Sequence, residues 1–301
     1  MNPTPKIDVV YTWVDGECLE YQQLCRQYSS CQIDLNPERF RDRYSLLKYS
    51  LRSLKMYVPW INNIYILTCR PQVPQWLNCH HPKIFIVHHD LIIDKAYLPT
   101  FNCNVIESYL HKIPSNSDYL LYINDDFLFG KSTNPEDFIT PDGKLKVLGT
   151  LGGEALKFRI YEQQNDIISF GFMEHTPYLI YKPYWQAMLN LCPEKIHRTR
   201  QQKFRTKQDI RMDKLYRYYL RSHQPQSTVV VPFYRLLRYH RFHKIMNRYS
   251  SQKHRLAKLA KMQPKFYCLN DDQKENPNLQ VVELVQNFLE TQYPQPSPFE
   301  V

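Results

Sequence analysis

The sequence is poor in glycine and lacks the short motifs that mark many catalytic sites. It contains 7 glycines in 301 residues. No glycine-rich phosphate loop occurs, because Gly152 and Gly153 are not followed by the Lys and Ser or Thr of a P-loop. No nucleophile elbow and no zinc-binding pair of histidines at helical spacing occurs either. A phosphate group would therefore be bound by a metal ion, by arginines or by helix N-termini.

Long apolar runs and paired cysteine motifs are also missing. No stretch of about 18 apolar residues occurs, and the N-terminal residues carry no apolar run behind a basic lead. The 8 cysteines are scattered, with no C-x-x-C pair of the kind that binds zinc or carries redox chemistry. We therefore expect a cytoplasmic protein with reduced thiols and no membrane span, which contacts the inner face of the membrane at most peripherally.

The order of the predicted elements favours an α/β fold. Runs rich in β-branched and aromatic residues predict strands at residues 7–14, 63–69, 83–90 and 119–130. Apolar residues at helical spacing predict helices at residues 47–58 and 104–112. This alternation predicts a Rossmann-like, mostly parallel sheet that is flanked by helices.

The second half of the sequence differs from the first in predicted structure and in charge. It is predicted to be mainly helical, with helices at residues 181–191, 209–222, 235–248, 251–261 and 279–291. We accordingly divide the chain into an α/β core at residues 1–180, a basic helical part at 181–265 and a C-terminal segment at 266–301 that packs back on the core.

Positive charge is concentrated in one segment. Residues 195–261 contain 19 Lys and Arg but 2 Asp and Glu, whereas the net charge of the whole chain is +10. Exposed helix faces often carry such charge. An anion-binding surface is the equally weighted alternative, because this density repels itself unless a negative partner neutralises it.

Acidic residues follow two of the predicted strands. Asp15 comes after the first, and Asn124, Asp125 and Asp126 interrupt the last one. Because ligands bind beyond the carboxyl ends of parallel strands, we expect these side chains to converge on one crevice. Adjacent carboxylates after a buried strand are suited to Mg²⁺ or Mn²⁺. A simple turn, in which Asn and Asp are also favoured, is the alternative.

Two further residues are candidates for chemistry. His175 lies between an apolar run and Pro177, where a neutral imidazole can act as a general base. Arg205 lies in KFRTKQD and can bind a phosphoryl oxygen. Judged by itself, each has a plainer interpretation, which is a structural histidine in the first case and a surface arginine in the second.

Several blocks of the sequence, taken together, resemble the Stealth family, which includes bacterial capsular-polysaccharide phosphotransferases and the eukaryotic N-acetylglucosamine-1-phosphotransferase alpha/beta subunit. The blocks occur in order along the chain: IDVVYTWVDG at 7–16, LKYSLRSLKMYVPWINNIYILT through YINDDFLFGK at 47–131, GFMEHTPYLIYK with KFRTKQD at 171–209, and LNDDQKENPN with FLETQYPQPSPFE at 269–300. The spacing from Asp42 to Lys48 departs from the family pattern, so Asp42 is assigned no role.

The resemblance implies a reaction. A hexose-1-phosphate, such as an N-acetylhexosamine-1-phosphate, would pass from a UDP-sugar bound to the core to a glycan hydroxyl. A phosphodiester would form and UMP would leave, during synthesis of a capsule or another cell-surface polysaccharide. The positive charge of residues 195–261, in turn, leads us to expect an acceptor glycan that is lipid-linked or an anionic polymer, and we expect no nucleic-acid partner.

The resemblance also implies the residues of the site. His175 would be the general base, Arg205 would contact the phosphate, and Asp209 would orient Arg205. The residues implied in catalysis are His175, Arg205, Asp126 and Asp209. The residues implied in nucleotide-sugar binding are Thr12, Trp13, Val14, Asp15, Arg52 and Asn124. The residues implied in binding Mg²⁺ or Mn²⁺ are Asp125, Asp126, Asn270 and Asp271.

Two other functions remain open from the sequence. A metal-dependent glycosyltransferase that moves the sugar alone and releases UDP would need the same acidic motif. Alternatively, the basic segment and its interleaved tyrosines would form a surface that binds nucleic acid or a membrane.

Overall fold

The first half of the chain alternates between strands and helices. A computed structural model describes residues 5–29, 42–150, 175–237, 239–274 and 276–301. The strands are β1 Ile7–Thr12, β2 Ile64–Thr68, β3 Ile84–His88, β4 Tyr119–Asn124, β5 Phe127–Phe129, β6 Leu145–Thr150, β7 Tyr178–Tyr181, β8 Thr228–Pro232, β9 His240–Ile245 and β10 Phe266–Asp271. The helices are α1 Leu19–Tyr28, α2 Leu46–Tyr57, α3 His89–Ile92, α4 Cys103–Glu107, α5 Lys182–Leu189, α6 Pro193–Arg200, α7 Met212–His223, α8 Phe233–Leu236, α9 Tyr249–Met262 and α10 Leu279–Gln292.

Helix α2 illustrates how the sequence pattern becomes structure. Leu47, Leu51 and Leu54 recur at helical spacing and are buried in the main core. The helix ends at Tyr57, two residues before Pro59, which cannot continue the backbone hydrogen bonding of a helix. The predicted helix at residues 47–58 is therefore confirmed.

The main sheet has five strands in the order β3-β2-β1-β4-β7. The first four are parallel, and β7 is antiparallel to β4. Strands β1, β2 and β4 are buried along most of their length, as expected of a parallel sheet covered on both faces. This strand order is that of a Rossmann-like sheet, so the predicted α/β fold class is confirmed.

Strands from distant parts of the chain form a second sheet. Its order is β5-β10-β9, with β10 antiparallel to β5 and parallel to β9. The three parts into which we divided the sequence each contribute one strand to this sheet. A two-stranded parallel sheet pairs β6 with β8.

Several sequence predictions of secondary structure were wrong. The helix predicted at residues 235–248 is replaced at its centre by strand β9, because residues 240–245 pair along their full length with β10. The long strand predicted at 119–130 is divided by a turn into β4 and β5. The helix predicted at 104–112 is α4 followed by a separate 3-10 turn at Leu110–Lys112. The second half is accordingly less helical than expected, since β7 to β10 lie within it.

Two hydrophobic clusters support these sheets. The larger surrounds the main sheet and contains most of the buried residues of β1, β2 and β4. The smaller lies between β10, α9 and α10 and includes Leu256, Leu269 and Val285. Among the helices described here, none has both the length and the apolar character needed to cross a bilayer.

Candidate active site

The site lies where the strand order of the main sheet changes direction. Strands β1 and β4 are adjacent, and Thr12 at the end of β1 is in register with Asn124 at the end of β4. In sheets of this order, such a switch point opens a crevice at the carboxyl ends of the strands. The predicted loop at Asp15 and the predicted turn at Asp125 both leave from this point.

The loop after β1 is held by the turn after β2. The backbone N–H of Asp15 donates to Gln72 Oε1 over 2.8 Å, and Gln72 Nε2 donates back to the Asp15 carbonyl over 2.8 Å. Trp13 is buried, whereas Val14 and Asp15 are half-buried. The four predicted residues Thr12 to Asp15 therefore lie at the carboxyl end of β1, where Gln72 anchors the backbone of Asp15.

The turn between β4 and β5 carries the two adjacent carboxylates. Strand β10 runs beside it, because Cys268 is in register with Phe127 and the N–H of Leu269 donates to the Asp126 carbonyl over 2.9 Å. The Cys268 thiol donates to Asp126 Oδ2 over 3.0 Å. Asn270 Nδ2 donates to the same oxygen over 3.4 Å. The predicted pair Asp126 and Asn270 thus comes together through strand pairing.

His175 lies close to this turn. Its Nδ1 lies 3.9 Å from Asp126 Oδ2 and 3.7 Å from Cys268 Sγ. The ring packs on Phe242 of β9 at 4.8 Å between centroids, and 30% of the side chain remains exposed. The general base predicted from the sequence therefore lies beside the predicted metal-binding carboxylate.

Backbone geometry fixes the direction of this histidine. His175 has φ of 54°, in the left-handed region that non-glycine residues adopt infrequently. The next residue is anchored, since Arg217 Nη2 donates to Thr176 Oγ1 over 2.6 Å in the buried interior. Residues 171–174, which complete the predicted GFMEHTPYLIYK block, lie outside the described residues.

The electrostatics of the turn favour a bound cation. Burial raises the pKa of Asp125 well above its usual value, and the neighbouring charges of Asp126 and Asp42 raise it further. Burial also raises the pKa of Asp126, against the lowering effects of His175, Cys268 and Asn270. Asp126 Oδ1 is buried without a hydrogen-bond partner. Buried carboxylates with raised pKa values suit a hard divalent cation such as Mg²⁺ or Mn²⁺, because the charge of the ion would stabilise their ionised form.

Asp42 belongs to this acidic group, although the sequence gave it no role. Its Oδ1 accepts from the N–H of Leu46 over 2.7 Å at the start of α2. Burial raises the pKa of Asp42, and the charges of Asp15 and Glu17 also raise it. The charge of Asp42 in turn acts on Asp125. Only the fold brings this acid to the turn, because it lies in the chain far from Asp125.

Glu107 is a second residue that the sequence analysis missed. Thr12 Oγ1 and the Tyr122 hydroxyl are 3.1 Å apart, and the Tyr122 hydroxyl donates to Glu107 Oε1 over 3.2 Å. Burial raises the pKa of Glu107 to about 8, Asp213 adds to the rise, and Arg211 and Arg205 oppose it. An acid directly after Val105 and Ile106 in an apolar stretch is the signal that could have identified it.

Arg205 lies on a loop that approaches Glu107. The loop is attached to the core because the N–H of Phe101 donates to the Lys203 carbonyl over 2.8 Å and the rings of Phe101 and Phe204 stack at 5.0 Å. Arg205 itself is exposed, and its charge acts on the Glu107 carboxyl. The predicted phosphate-binding arginine is therefore accessible and near enough to Glu107 for its charge to act on that carboxyl.

Asp209 closes the same loop. Its Oδ2 accepts from Asn102 Nδ2 over 2.7 Å and from the N–H of Thr206 over 2.8 Å, while its Oδ1 accepts from Thr206 Oγ1 over 2.7 Å. These bonds tie Asp209 to the loop backbone and to α4. The predicted task of Asp209, which is to orient Arg205, stays a prediction.

Arg52 and Asp271 are engaged in other contacts. Arg52 is buried, and its guanidinium donates to both carboxylate oxygens of Glu300 and to the Tyr293 carbonyl. Asp271 Oδ1 accepts from the N–H of Gln273 over 3.0 Å. The predicted roles of Arg52 in donor binding and of Asp271 in metal binding stay predictions.

Two sequence models of one family match the chain. The first, described as Stealth protein CR2, conserved region 2, matches residues 39–147. The second, described as Stealth protein CR4, conserved region 4, matches residues 257–301. These ranges include Asp125, Asp126 and Asn270, whereas His175 and Arg205 lie between them.

Curated relatives align with most of the chain. It is 31% identical to exopolysaccharide phosphotransferase SCO2594 of Streptomyces coelicolor, over 98% of this chain and 51% of the relative. It is 34% identical to capsular polysaccharide phosphotransferase LcbA of Neisseria meningitidis, over 69% of this chain and 62% of the relative. It is 32% identical to capsular polysaccharide phosphotransferase SacB of Neisseria meningitidis serogroup A, over 98% of this chain and 57% of the relative. The chain thus spans about half to three-fifths of the length of these relatives.

Solved glycosyltransferase structures are more distantly similar. The galactosyltransferase LgtC in complex with donor and acceptor sugar analogs has a TM-score of 0.47 and 12% identity, over 94% of this chain and 95% of that one. The glycosyltransferase GlyE of Streptococcus pneumoniae has a TM-score of 0.43 and 11% identity, over 96% of this chain and 64% of that one. A likeness at this level carries no conclusion about fold or function.

Three observations indicate the same family: the sequence blocks, the two matched conserved regions and the relatives. Both matched models describe the same family, and they cover the turn with its two carboxylates and the strand that pairs beside it. Relatives of 31% to 34% identity align over 69% to 98% of the chain. The chain belongs to the Stealth family.

Proposed function

We propose that this protein transfers a hexose-1-phosphate from a UDP-sugar to a hydroxyl group of a glycan, in the synthesis of a capsular or other extracellular polysaccharide. A bond forms between the acceptor oxygen and the sugar-linked phosphorus. The bond from that phosphorus to the bridging oxygen breaks, UMP leaves, and the product is a phosphodiester. The names of the curated relatives, which are capsular and exopolysaccharide phosphotransferases, support this class of reaction.

The observation that carries the proposal is the position of His175 opposite Asp126 at the switch point of the sheet. Nδ1 of His175 faces Asp126 and Cys268, at 3.9 and 3.7 Å. Nε2 is then the nitrogen left for a substrate. With the proton on Nδ1, a neutral His175 accepts the proton of the acceptor hydroxyl at Nε2 as the new bond forms.

The donor phosphates are proposed to lie between the carboxylate turn and the Arg205 loop. Arg205 binds an oxygen of the transferred phosphoryl group and stabilises the charge that develops on it. Glu107, protonated at neutral pH because its pKa is raised to about 8, donates a hydrogen bond without repelling the diphosphate. Asp209 keeps Arg205 in place through the bonds that close its loop.

The divalent cation is proposed to be bound by Asp125, Asp126 and Asn270. Mg²⁺ or Mn²⁺ at these oxygens would neutralise charge on the diphosphate and act as a Lewis acid. Asp42 contributes negative charge behind the turn. Asp271 follows Asn270 in the sequence and is proposed to contribute a further oxygen ligand.

The loop after β1 is proposed to hold the uridine side of the donor. Thr12, Trp13, Val14 and Asp15 form the edge of the crevice next to Asn124, and Gln72 fixes their backbone. A rigid edge of this kind positions a nucleotide without paying an ordering cost at each turnover.

The acceptor is proposed to be an anionic, phosphodiester-linked or lipid-linked glycan, held by the basic segment at residues 195–261. Helix α9 in this segment buries Leu256 and Leu259 and turns Lys253, Lys258 and Lys261 outward. Strand β9 connects this surface to the site, because Phe242 packs on His175. The same surface would attract the anionic inner face of a membrane.

The experiment that tests the function is nucleotide release from a panel of UDP-sugars with Mg²⁺ or Mn²⁺ and glycan acceptors. The expected product is UMP, together with a phosphodiester-linked glycan identified by ³¹P NMR. The matched control is Asp126→Asn, which keeps the shape of the turn and removes one carboxylate. It should abolish release while leaving the fold intact by circular dichroism.

The identity of the released nucleotide decides between the two enzyme classes. Release of UDP, with the sugar alone on the acceptor, would replace this proposal by an ordinary glycosyltransferase. UMP release that persists in Asp126→Asn would show that the reaction occurs elsewhere in the chain.

A further inference from the structure

Three side chains at the site present an unusual set of ligand atoms. Asp126 Oδ2, His175 Nδ1 and Cys268 Sγ all lie within 4.8 Å of one another. The thiol is 3.0 Å from the carboxylate oxygen and 3.7 Å from the nitrogen, and the nitrogen is 3.9 Å from the oxygen. A carboxylate, an imidazole and a thiol are three of the ligand types that zinc takes in proteins.

The spacing of these atoms is close to that around a tetrahedral zinc ion. With zinc bonds of about 2.0 to 2.3 Å, neighbouring ligand atoms lie about 3.3 to 3.6 Å apart. The observed separations of 3.0, 3.7 and 3.9 Å bracket this range. Movements of a few tenths of an ångström would therefore complete the geometry, and a fourth position would remain for water.

The local structure holds the three ligands in place. Cys268 is fully buried in β10 and paired with Phe127, and His175 is packed on Phe242. Asp126 Oδ1 is buried without a partner, so the carboxylate has an unused acceptor beside the one that faces the thiol. A site whose side chains are already ordered binds its ion without a large ordering cost.

This set differs chemically from the oxygen ligands proposed for Mg²⁺ or Mn²⁺. Thiolate and imidazole favour Zn²⁺ and similar thiophilic ions, whereas carboxylate and amide oxygens favour the harder ions. Asp126 belongs to both sets. Both kinds of ion therefore make use of the same carboxylate.

We propose that Asp126, His175 and Cys268 form a Zn²⁺ site that takes His175 and Asp126 out of the reaction and stops it when the site is filled. Binding releases the thiol proton of Cys268 and places zinc on Nδ1 of His175. The proton of the neutral imidazole then occupies Nε2. Nε2 becomes a donor, and it no longer accepts the proton of an acceptor hydroxyl.

Binding is tested with Co²⁺, which takes zinc sites and reports thiolate ligation by a charge-transfer band in the near ultraviolet. The whole chain, stripped of metal, should give this band with one equivalent of Co²⁺. Zn²⁺ should remove the band, and an excess of Mg²⁺ should leave it. Cys268→Ser should lose the band, whereas Cys79→Ser, which changes an exposed thiol, should keep it.

A titration with Zn²⁺ supplies the second measurement. Loss of an outer partner of a metal ligand costs 10- to 100-fold in affinity, so loss of the ligand Cys268 should weaken Zn²⁺ binding by about 100-fold or more. His175→Ala, at a partly exposed position, should weaken it as well. Absence of the band in the wild type, or its persistence in Cys268→Ser with folding intact by circular dichroism, would overturn the site.

The inhibitory consequence rests on the proposed function and is measured separately. Zn²⁺ added to a Mn²⁺-supported reaction should lower UMP release, and a zinc-selective chelator should restore it. Each variant is compared with its own rate without Zn²⁺, and Cys268→Ser should need about 100-fold more Zn²⁺ for the same loss. Equal sensitivity of Cys268→Ser and wild type would refute inhibition at this site. Turnover absent under all conditions would count against the function and leave the Co²⁺ result standing.

Discussion

Cys268 donates a hydrogen bond to Asp126 over 3.0 Å, although 142 positions separate the two residues in the chain. This contact joins strand β10 in the C-terminal part to the carboxylate turn after β4. The thiol is fully buried, and the oxygen that it binds lies 3.9 Å from His175 Nδ1. The active site is therefore completed by the last strand of the chain.

The first prediction concerns the strength of this contact. Cys268→Ala removes the donor and leaves Asp126 Oδ2 with the longer bond from Asn270, so the free energy of unfolding should fall by about 1 to 3 kcal/mol. Cys268→Ser keeps a donor and should lose less. Urea unfolding measures both, with Cys79→Ala as the exposed control. An equal loss for the alanine and serine variants would show that packing of the sulfur, and not the hydrogen bond, is what matters.

The second prediction concerns Arg52. Its guanidinium binds Glu300 at 2.8 and 2.9 Å and the Tyr293 carbonyl at 2.9 Å. Arg52→Met removes the guanidinium from the buried Glu300 carboxylate, which keeps its bonds from Ser297 and the more distant Lys48 at 3.8 Å. The free energy of unfolding should therefore fall by about 3 kcal/mol. Glu290 lies 3.5 Å from Arg52 but is 59% exposed, and Glu290→Gln should change stability by less than about 0.5 kcal/mol.

The double variant Arg52→Met with Glu300→Leu separates the structural role of Arg52 from the role in donor binding that the resemblance implied. Replacing both charges avoids an unpaired buried ion, so much of the stability should return. The dissociation constant for the UDP-sugar, measured by calorimetry, should then match that of wild type. A stable double variant that binds the UDP-sugar more weakly than wild type would show that Arg52 takes part in donor binding.

The sequence predicted the parts of the site that local patterns encode. Asp15 and Asp125 follow buried strands, and parallel strands bring their carboxyl ends to one edge whatever lies between them. His175 came from the resemblance, because a single histidine has no local signature. Asp42 and Glu107 were missed because the raised pKa values that single them out depend on the residues that the fold places next to them. Strand β9 was missed because its pairing with β10 overrides a weak local preference.

The third prediction concerns acid stability. Burial lowers the pKa of His240 to about 3, and the nearby charges of Arg241 and Arg217 lower it as well. At pH values below the ordinary histidine pKa of about 6.5, His240 binds a proton in the unfolded chain but not in the folded chain. The free energy of unfolding should therefore fall by about 1.4 kcal/mol for each pH unit from 6.5 toward 3 on account of this residue.

His240→Phe tests that contribution. The His240 ring lies 6.3 Å from Phe127 and 5.3 Å from Phe266, between centroids, so another aromatic ring suits the position. Urea unfolding at pH 7, 6 and 5 should give a shallower pH dependence for the variant than for wild type. Some dependence should remain, since burial lowers the pKa values of His89 and His243 to about 4. Identical slopes would mean that His240 is charged in the folded chain.

The fourth prediction concerns the pH dependence of donor binding. Burial, with the charge of Asp213, raises the pKa of Glu107 to about 8. Below pH 8 the carboxyl is protonated and uncharged. As the pH rises through 8 it ionises and repels the diphosphate, so the affinity for a UDP-sugar should fall. Calorimetry from pH 6 to pH 9 measures this change.

Glu107→Gln is the matched variant, because an amide keeps the size of the protonated acid and does not ionise. Its donor affinity should stay level across the range in which wild type weakens. If wild type and variant decline together, the titrating group lies elsewhere, and Glu107 has no direct influence on the donor.

The fifth prediction concerns the loop that carries Arg205. Arg205→Ala removes a donor to the developing phosphoryl charge, so kcat should fall by about 10²- to 10³-fold. Asp209→Asn should also lower kcat, because an amide cannot accept from Asn102 and from both donors of Thr206.

The double variant of Arg205→Ala and Asp209→Asn tests whether Asp209 acts by positioning Arg205. If it does, the double variant should be no slower than Arg205→Ala, because both substitutions then remove the same contribution of Arg205 to kcat. Thr206→Val, which removes one of these bonds, should have a smaller effect. Losses that multiply in the double variant would give Asp209 a contact with the substrate that is independent of the arginine.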